Sequence, residues 1–187
     1  EEVCKSNYKA REQQSILKNF LSPETPYKGL LVMHGTGTGK TCTAIEIAEQ
    51  FKDQVDKYNT KIFILTFGPN NKETFKSELL FCTGNTYTKN KDIYEQMTQD
   101  EIERDEKIGV FSALQYYKIL SYKSFYRKVL GEKISEKLLS KDNKLKTSYK
   151  KKDSGEFERE IVIDKINNMD NSLLIVDEAH NLTGNEY

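Results

Sequence analysis

The sequence predicts an α/β domain, with helices layered on a central, mainly parallel sheet. Three observations carry this expectation. Gly29–Met33, Ile62–Phe67 and Leu173–Val176 are short, nearly unbroken apolar runs, the pattern of strands covered on both faces. Between them, apolar residues recur every three to four positions, the helical period. The chain has 187 residues, a length that suits one domain.

In chain order, Ile16, Leu17, Phe20 and Leu21 share one helical face, so Asn7–Leu21 is expected to be a helix stopped by Ser22-Pro23 and Thr25-Pro26. Leu30–Met33 reads as a buried strand. A helix beginning near Thr41 follows, with Ala44, Ile45, Ile47, Ala48, Phe51 and Val55 on one face. Lys61–Phe67 is a second buried strand, Gly68-Pro69-Asn70-Asn71 turns the chain, and Glu73–Phe81 should be helical. Ile108–Phe111 is a weaker strand candidate, and Ser121–Leu139 has helical spacing through Phe125, Val129, Ile134 and Leu138. Ser140–Gly155 is lysine-rich and poor in large apolar groups, which predicts a mobile insertion at about 140–155. Phe157–Met169 is expected to be a helix, with Ile161-Val162-Ile163 leaving a strand open. Ser172–Val176 is the last buried strand and ends at Asp177.

Composition excludes several classes. Hydrophobic residues make up 36% and charged ones 31%, and no apolar run approaches the roughly 18 residues of a membrane helix. Glu1-Glu2-Val3 begins without a Met or a secretory signal, so the expectation is an intracellular protein, not secreted, and a piece cut from a longer chain. Cys4, Cys42 and Cys82 are odd in number and far apart, and only His34 and His180 could join them. Reduced thiols are therefore expected, with no disulfide framework or zinc site. Net charge is zero but unevenly spread: Arg127–Lys152 holds ten basic residues against Glu132, Glu136 and Asp142. That stretch either steers a polyanion or is a solvated insertion with no ligand.

The chemistry concentrates in two places. His34-Gly35-Thr36-Gly37-Thr38-Gly39-Lys40-Thr41 joins the first expected strand to the helix behind it. Its glycines let successive amides turn toward one anion, and the helix N-terminus adds its dipole. Gly35, Thr36, Gly37, Thr38 and Gly39 would cradle phosphates, Lys40 would reach the β- and γ-phosphates of ATP, and Thr41 would offer its hydroxyl to Mg²⁺. His34 stands where the strict pattern has glycine. A glycine-rich turn without a ligand is the plain alternative, opposed by the strand before it and the helix after. The second place is Leu173-Leu174-Ile175-Val176-Asp177-Glu178-Ala179-His180. Asp177 falls at the carboxyl edge of a buried strand, where open α/β sheets gather ligands, and is placed to hold Mg²⁺. Glu178 is placed to orient or deprotonate the attacking water.

The two together resemble motif I and the DEAH box of superfamily 2 helicases and translocases. The spacing from Lys40 to Asp177 is similar to that class, slightly stretched by the lysine-rich insertion. Arg11-Glu12-Gln13-Gln14 resembles the element whose glutamine reads adenine, which implies Gln14, with Gln13 as the alternative register. Thr66-Phe67-Gly68-Pro69 with Phe75-Lys76-Ser77-Glu78-Leu79 resembles motif Ia and the aromatic-x-x-Glu after it, and Val110–Leu114 occupies the place of motif Ib. The chain looks most like the nucleoside triphosphatases and early-transcription-factor helicases of poxviruses and other large DNA viruses.

That resemblance implies a three-layer RecA-like P-loop domain over residues 1–187, the first lobe of a helicase, truncated and lacking the second lobe with its arginine finger. It further implies an ATPase driven by DNA or RNA, nearly inactive as this chain alone. Viral transcription, with polymerase or transcription-factor subunits as partners and host cytoplasm or virion as location, is the implied setting. His180 would couple nucleotide state to nucleic-acid contact, against the alternative of a plain surface histidine. A P-loop nucleotide switch or an interaction module without a polynucleotide track is the competing reading. Tyr116, Tyr117, Tyr122 and Tyr126 are candidates for stacking bases or for helix-face packing.

Overall fold

The computed structural model describes residues 11–33, 35, 37–68, 70–89, 91–141 and 144–183. They fall into two compact units, one running to Ser121 and resuming at Asp170, the other spanning Tyr122–Met169.

The first unit is α/β. Helix α1 (Glu12–Phe20) is followed by α2 (Lys40–Glu49), α3 (Lys52–Lys57), strand β1 (Ile62–Thr66), α4 (Asn70–Cys82), α5 (Lys91–Tyr94), α6 (Gln99–Ala113) and strand β2 (Tyr117–Ser121). Strand β7 (Leu173–Val176) and a 3₁₀ helix, Ala179–Thr183, complete it. The sheet is wholly parallel, ordered β2-β1-β7, with Ile62 opposite both Tyr117 and Leu173. Central β1 is buried at all five residues, which its aliphatic sequence requires. Ile45, Ala48, Val55, Ile62, Ile64 and Leu79 form the centre of the core.

Several expectations are corrected here. Leu30–Met33 is not a strand. It has no ladder partner among the described residues, and Leu31 and Met33 are 78% and 84% exposed. Apolar content gave the run its strand appearance, but a strand also needs a ladder in register; among the described residues the sheet ends at β7 and this run does not extend it. The helix expected after Thr41 is broken into α2 and α3 at Gln50–Phe51. Ile108–Phe111 lies inside α6, so the segment likened to motif Ib is helical, and the strand comes later, at β2. The cause is local: the Thr98 hydroxyl accepts from the Glu101 amide while the Glu101 carboxylate accepts from Thr98, a capping box that starts a helix. Gly109 lies within that helix for want of space: a β-carbon there would meet the Thr88 methyl at 2.8 Å and the Tyr87 carbonyl at 3.0 Å.

The cysteines also depart from expectation. Cys42 on α2 and Cys82 on α4 are disulfide-bonded, their Cα atoms 5.3 Å apart. The two helices pack together, so residues 40 positions apart in sequence meet on facing surfaces. Tyr117, a stacking candidate, is 2% exposed and belongs to the core, and Tyr122 is buried too, whereas Tyr126 is exposed.

The second unit begins with α7 (Tyr122–Leu130), which Gly131 ends at φ +76°. The helix expected as far as Leu139 therefore stops early. Antiparallel strands follow: β3 (Glu132–Ile134), β4 (Glu136–Lys141), β5 (Lys144–Tyr149) and β6 (Arg159–Ile161). β3 pairs with β6 and β4 with β5, so the expected mobile insertion is a β-ribbon. Phe157–Met169 is likewise not helical; it contributes β6 and then irregular chain. Lys128 pairs with Asp164, Lys133 with Glu160 at 2.9 Å and Arg159 with Glu132 at 2.5 Å.

One buried polar cluster ties α2 to the sheet. The Glu49 carboxylate accepts from the hydroxyls of Tyr117 at 2.6 Å and Tyr87 at 2.9 Å, and the Lys52 ammonium lies 2.6 Å from it. Burial, then the Glu49 charge, pushes both phenols well above their usual range. A phenol that ionises near pH 10 when unfolded but later when folded contributes stability below about pH 10 and loses it as pH rises beyond. We expect thermal midpoints followed by circular dichroism to fall above about pH 10. Tyr117→Phe should cost about 2 kcal/mol at pH 7 and flatten that alkaline fall.

Candidate functional site

The glycine-rich loop takes its shape from its glycines. Gly37 and Gly39 have φ of +72° and +86°, left-handed values that side chains strain to adopt. Gly39 is the N-cap of α2, so Lys40 and Thr41 are the first residues of that helix and stand at its positive end. Thr38 donates its hydroxyl to the Gly35 carbonyl at 2.7 Å, closing the loop on itself. Buried Thr43 donates to the Gly39 carbonyl at 3.0 Å from one turn further on. His34 and Thr36 lie outside the described residues.

Gln14 braces the same loop from α1. It is 2% exposed; its side-chain amide donates to the Gly39 carbonyl at 3.3 Å, and its carbonyl oxygen accepts from the Arg11 amide at 2.7 Å. A β-carbon at Gly39 would come within 3.0 Å of that amide nitrogen, so glycine is needed there for space as well as for φ. The Arg11 guanidinium reaches the Thr38 carbonyl at 3.5 Å. Gln13, the alternative register, is exposed.

The acidic half sits at the sheet's carboxyl edge. The Asp177 amide donates to the Leu65 carbonyl at 2.9 Å, carrying the β1–β7 register one residue past the strand and fixing where Asp177 begins. Burial, followed by the charges of Glu178 and Glu78, raises its carboxyl above the usual range, and Lys40 only partly opposes them. Glu178 then turns the chain with φ +55°, in the left-handed region that a non-glycine residue adopts at a cost of roughly 1–3 kcal/mol. Asn181 holds the turn, donating to the Glu178 carbonyl from its backbone at 2.9 Å and its side chain at 3.1 Å.

The halves meet. The Lys40 ammonium lies 3.7 Å from one Glu178 oxygen, and His180 Nδ1 is 3.3 Å from the other. Lys40, Thr41, Asp177, Glu178 and His180 all line one cavity of about 1050 Å³, whose remaining wall includes Leu30, Phe75 and Leu173. His180 is exposed, with 73% of its side chain open to solvent.

Two residues were not singled out from sequence as parts of this site. Glu78, noted only within the motif Ia likeness, is charge-coupled to Asp177, and its place on α4 becomes visible only once α4 is set beside the sheet edge. Thr66 ends β1 with a fully buried hydroxyl that has no hydrogen-bond partner among the described residues. It too was noted only within the motif Ia likeness; as a threonine closing an aliphatic strand it gave no further signal, since threonine is common in strands.

Comparison with known proteins follows the same lines. The family described as "Type III restriction enzyme, res subunit" matches residues 7–187. A protein of Acanthamoeba polyphaga mimivirus named as an ATP-dependent RNA helicase is 52% identical over 183 residues, 97% of this chain and 16% of that protein. A second mimivirus protein with the same kind of name is 33% identical over 190 residues, covering 97% of this chain and 26% of its own length. A protein of Invertebrate iridescent virus 3 named as a helicase is 28% identical across 90% of this chain and 15% of its own. The chain thus spans about a quarter or less of each of these relatives. No solved structure matches the chain. With the loop, the DEAH residues and the parallel sheet that sets them face to face, the chain belongs to the type III restriction enzyme res-subunit family and is a first RecA-like lobe of the superfamily 2 helicases found in large DNA viruses.

Proposed function

We propose that this lobe binds ATP with Mg²⁺ and supplies half of the hydrolytic site of a nucleic-acid-dependent helicase or translocase. The observation that carries this reading is the approach of Lys40 to Glu178 at the mouth of one cavity, at a helix N-terminus on one side and a sheet edge on the other. Gly35 and Thr36–Gly39 cradle the phosphates through backbone amides, and Lys40 neutralises the β- and γ-phosphates. Glu178 orients the attacking water and accepts its proton. Adenine reading would fall to Gln14, which must then exchange its bonds to the Gly39 carbonyl and the Arg11 amide for the base, with exposed Gln13 as the alternative register. His180, in contact with Glu178, relays nucleotide state to the polynucleotide.

The fit of a divalent cation is tested by charge. Burial first, and then the charges of Glu178 and Glu78 with Lys40 opposing them, raise the Asp177 carboxyl, so a cation arriving beside these acids would meet negative charge that Lys40 only partly offsets. Among the described residues no three His, Cys, Asp or Glu side chains are placed to hold a metal ion by themselves. Mg²⁺ keeps much of its water and takes substrate phosphates as ligands, so a full protein cage is not required of this site. Thr41 and Asp177 would hold it, and when bound it supplies charge neutralisation of the phosphates.

The names of the mimivirus relatives favour an RNA track, with DNA as the alternative. Viral transcription within the infected cell or virion, beside polymerase or transcription-factor subunits, is the proposed setting. Among the described residues no helix is long and apolar enough to cross a membrane.

Titrating the chain with a fluorescent ATP analogue in Mg²⁺ should give saturable binding that Lys40→Ala weakens at least about tenfold, one lost charge-assisted contact. Equal binding by the variant would overturn the assignment. Asp177 offers a second check with a definite sign. A carboxyl raised on folding stabilises the protein only while protonated, so its charged form costs stability at neutral pH. Asp177→Asn should therefore raise the thermal midpoint at pH 7 while abolishing the Mg²⁺ dependence of ATP binding. The stability gain should vanish below about pH 4, where the wild-type carboxyl is neutral.

A further inference from the structure

We propose that the β4–β5 ribbon is a second nucleic-acid contact, a lysine-bearing sheet face that grips the sugar–phosphate backbone. The inference rests on the reading of the lobe as part of a polynucleotide-driven ATPase, and adds to it a surface outside the nucleotide site.

The register makes the argument. Lys137 is opposite Ser148, Leu139 opposite Lys146 and Lys141 opposite Lys144. Directly opposed residues share a face, and every second residue along a strand returns to it. Lys137, Lys141, Lys144 and Lys146 therefore occupy one face. The alternation reaches exposed Lys150, whose amide donates to the Ser135 carbonyl at 3.0 Å. The other face takes Glu136 with Tyr149, Leu138 with Thr147 and Ser140 with Leu145. The ribbon's strand lysines thus fall on one side, and the one acidic residue in its strands falls on the other.

Two physical points turn this sorting into a site. Lysines directly across from each other, as at positions 141 and 144, repel and destabilise a ribbon, and an isolated two-stranded ribbon is marginal to begin with. A sequence concerned only with folding would alternate signs across the strands. The neighbouring pairs do so: Lys133 with Glu160, and Arg159 with Glu132, meet carboxylates across β3 and β6. A polyanion supplies the opposite charge that this register lacks. Same-face positions recur about every 6.8 Å along a strand, close to every second phosphate of a strand rising about 3.4 Å per nucleotide. The repeating charge of a nucleic-acid backbone fits that spacing, and no base-reading geometry is needed.

The test uses the full chain and a fluorescein-labelled single-stranded 20-mer, as RNA and as DNA, with anisotropy measured from 50 to 200 mM salt. Threonine replacements keep strand propensity. The wild-type chain should bind with a steep salt dependence. Replacing Lys137, Lys141, Lys144 and Lys146 together by threonine should lower the slope of log K against log salt by about 3, and Lys141→Thr with Lys144→Thr by about 1.4, at roughly 0.7 per lost phosphate contact on a single strand. Both variants should bind the ATP analogue as wild type does, which shows that the chain is folded. If the wild-type chain binds the 20-mer and the variants keep its slope, the ribbon inference is overturned and the ATPase reading stands. If the wild-type chain binds neither RNA nor DNA, both fall. Competition by polyglutamate or phosphatidylserine vesicles as effective as unlabelled oligonucleotide at equal charge also overturns the assignment to nucleic acid.

Discussion

The structure depends on holding a cation and its opposing carboxylates a few ångströms apart on two elements that do not slide. Lys40 rides on the first turn of α2, and Glu178 follows the end of β7. Their separation is set by the hydrogen bond from the Asp177 amide to Leu65, which locks β7 against central β1, and by Gly39, whose left-handed backbone starts α2 where the loop ends. As an isolated ion pair at 3.7 Å between partly exposed groups, Lys40–Glu178 would contribute little to stability. Its significance is positional. Everything around it, including Gln14 beneath the loop and Asn181 beneath the turn, restricts backbone rather than adding attraction.

The remainder of the first unit reads as support for that placement. Helix α2 is fastened on three sides: to α1 by Lys18–Glu46 at 2.9 Å and by Gln50 donating to the Lys18 carbonyl at 2.6 Å, to α4 by the Cys42–Cys82 disulfide, and to β2 by Glu49 with Tyr117. Cys42 directly follows Thr41, so the covalent tie meets the helix within its first turn, next to the residue proposed to touch the metal. A short helix whose first turn is proposed to present a lysine and a threonine to phosphates gains more from such anchoring than from intrinsic helix propensity.

Legibility from sequence followed how local the determining physics was. The loop His34–Thr41 and the stretch Leu173–His180 were readable because few residue types give left-handed turns, helix N-termini or acids at a strand end. β1 and β7 were readable as apolar runs. β2 was not, because Tyr117-Lys118-Ile119-Leu120-Ser121 mixes a lysine and a tyrosine into a sheet-edge strand, while the more apolar Ile108–Phe111 nearby is held helical by the Thr98–Glu101 cap. Leu30–Met33 failed in the opposite way, since apolarity signals a wish for burial and says nothing of which edge supplies the partner. The disulfide was invisible because its spacing of 40 residues carries no pairing information. The ribbon was hidden by composition, which sums lysines, whereas register sorts them.

The cluster at the sheet edge also explains why this lobe is built against its own stability. Asp177 is half-buried beside two other carboxylates, and Glu178 sits in a backbone conformation that glycine would adopt more cheaply. Both are costs that a purely structural solution would remove, one by an amide, the other by a glycine. The first cost would be offset if phosphates and a divalent cation occupied the cavity, because the cation absorbs the crowded negative charge; the second is a backbone cost that remains, at a residue whose carboxylate lies 3.7 Å from Lys40. The same logic applies to the β4–β5 ribbon, where opposed lysines weaken an element that has little stability to spare. At both places the chain keeps charge of one sign together, and the partners proposed for them carry the complement of that sign: a cation with phosphates at the sheet edge, a polyphosphate backbone at the ribbon.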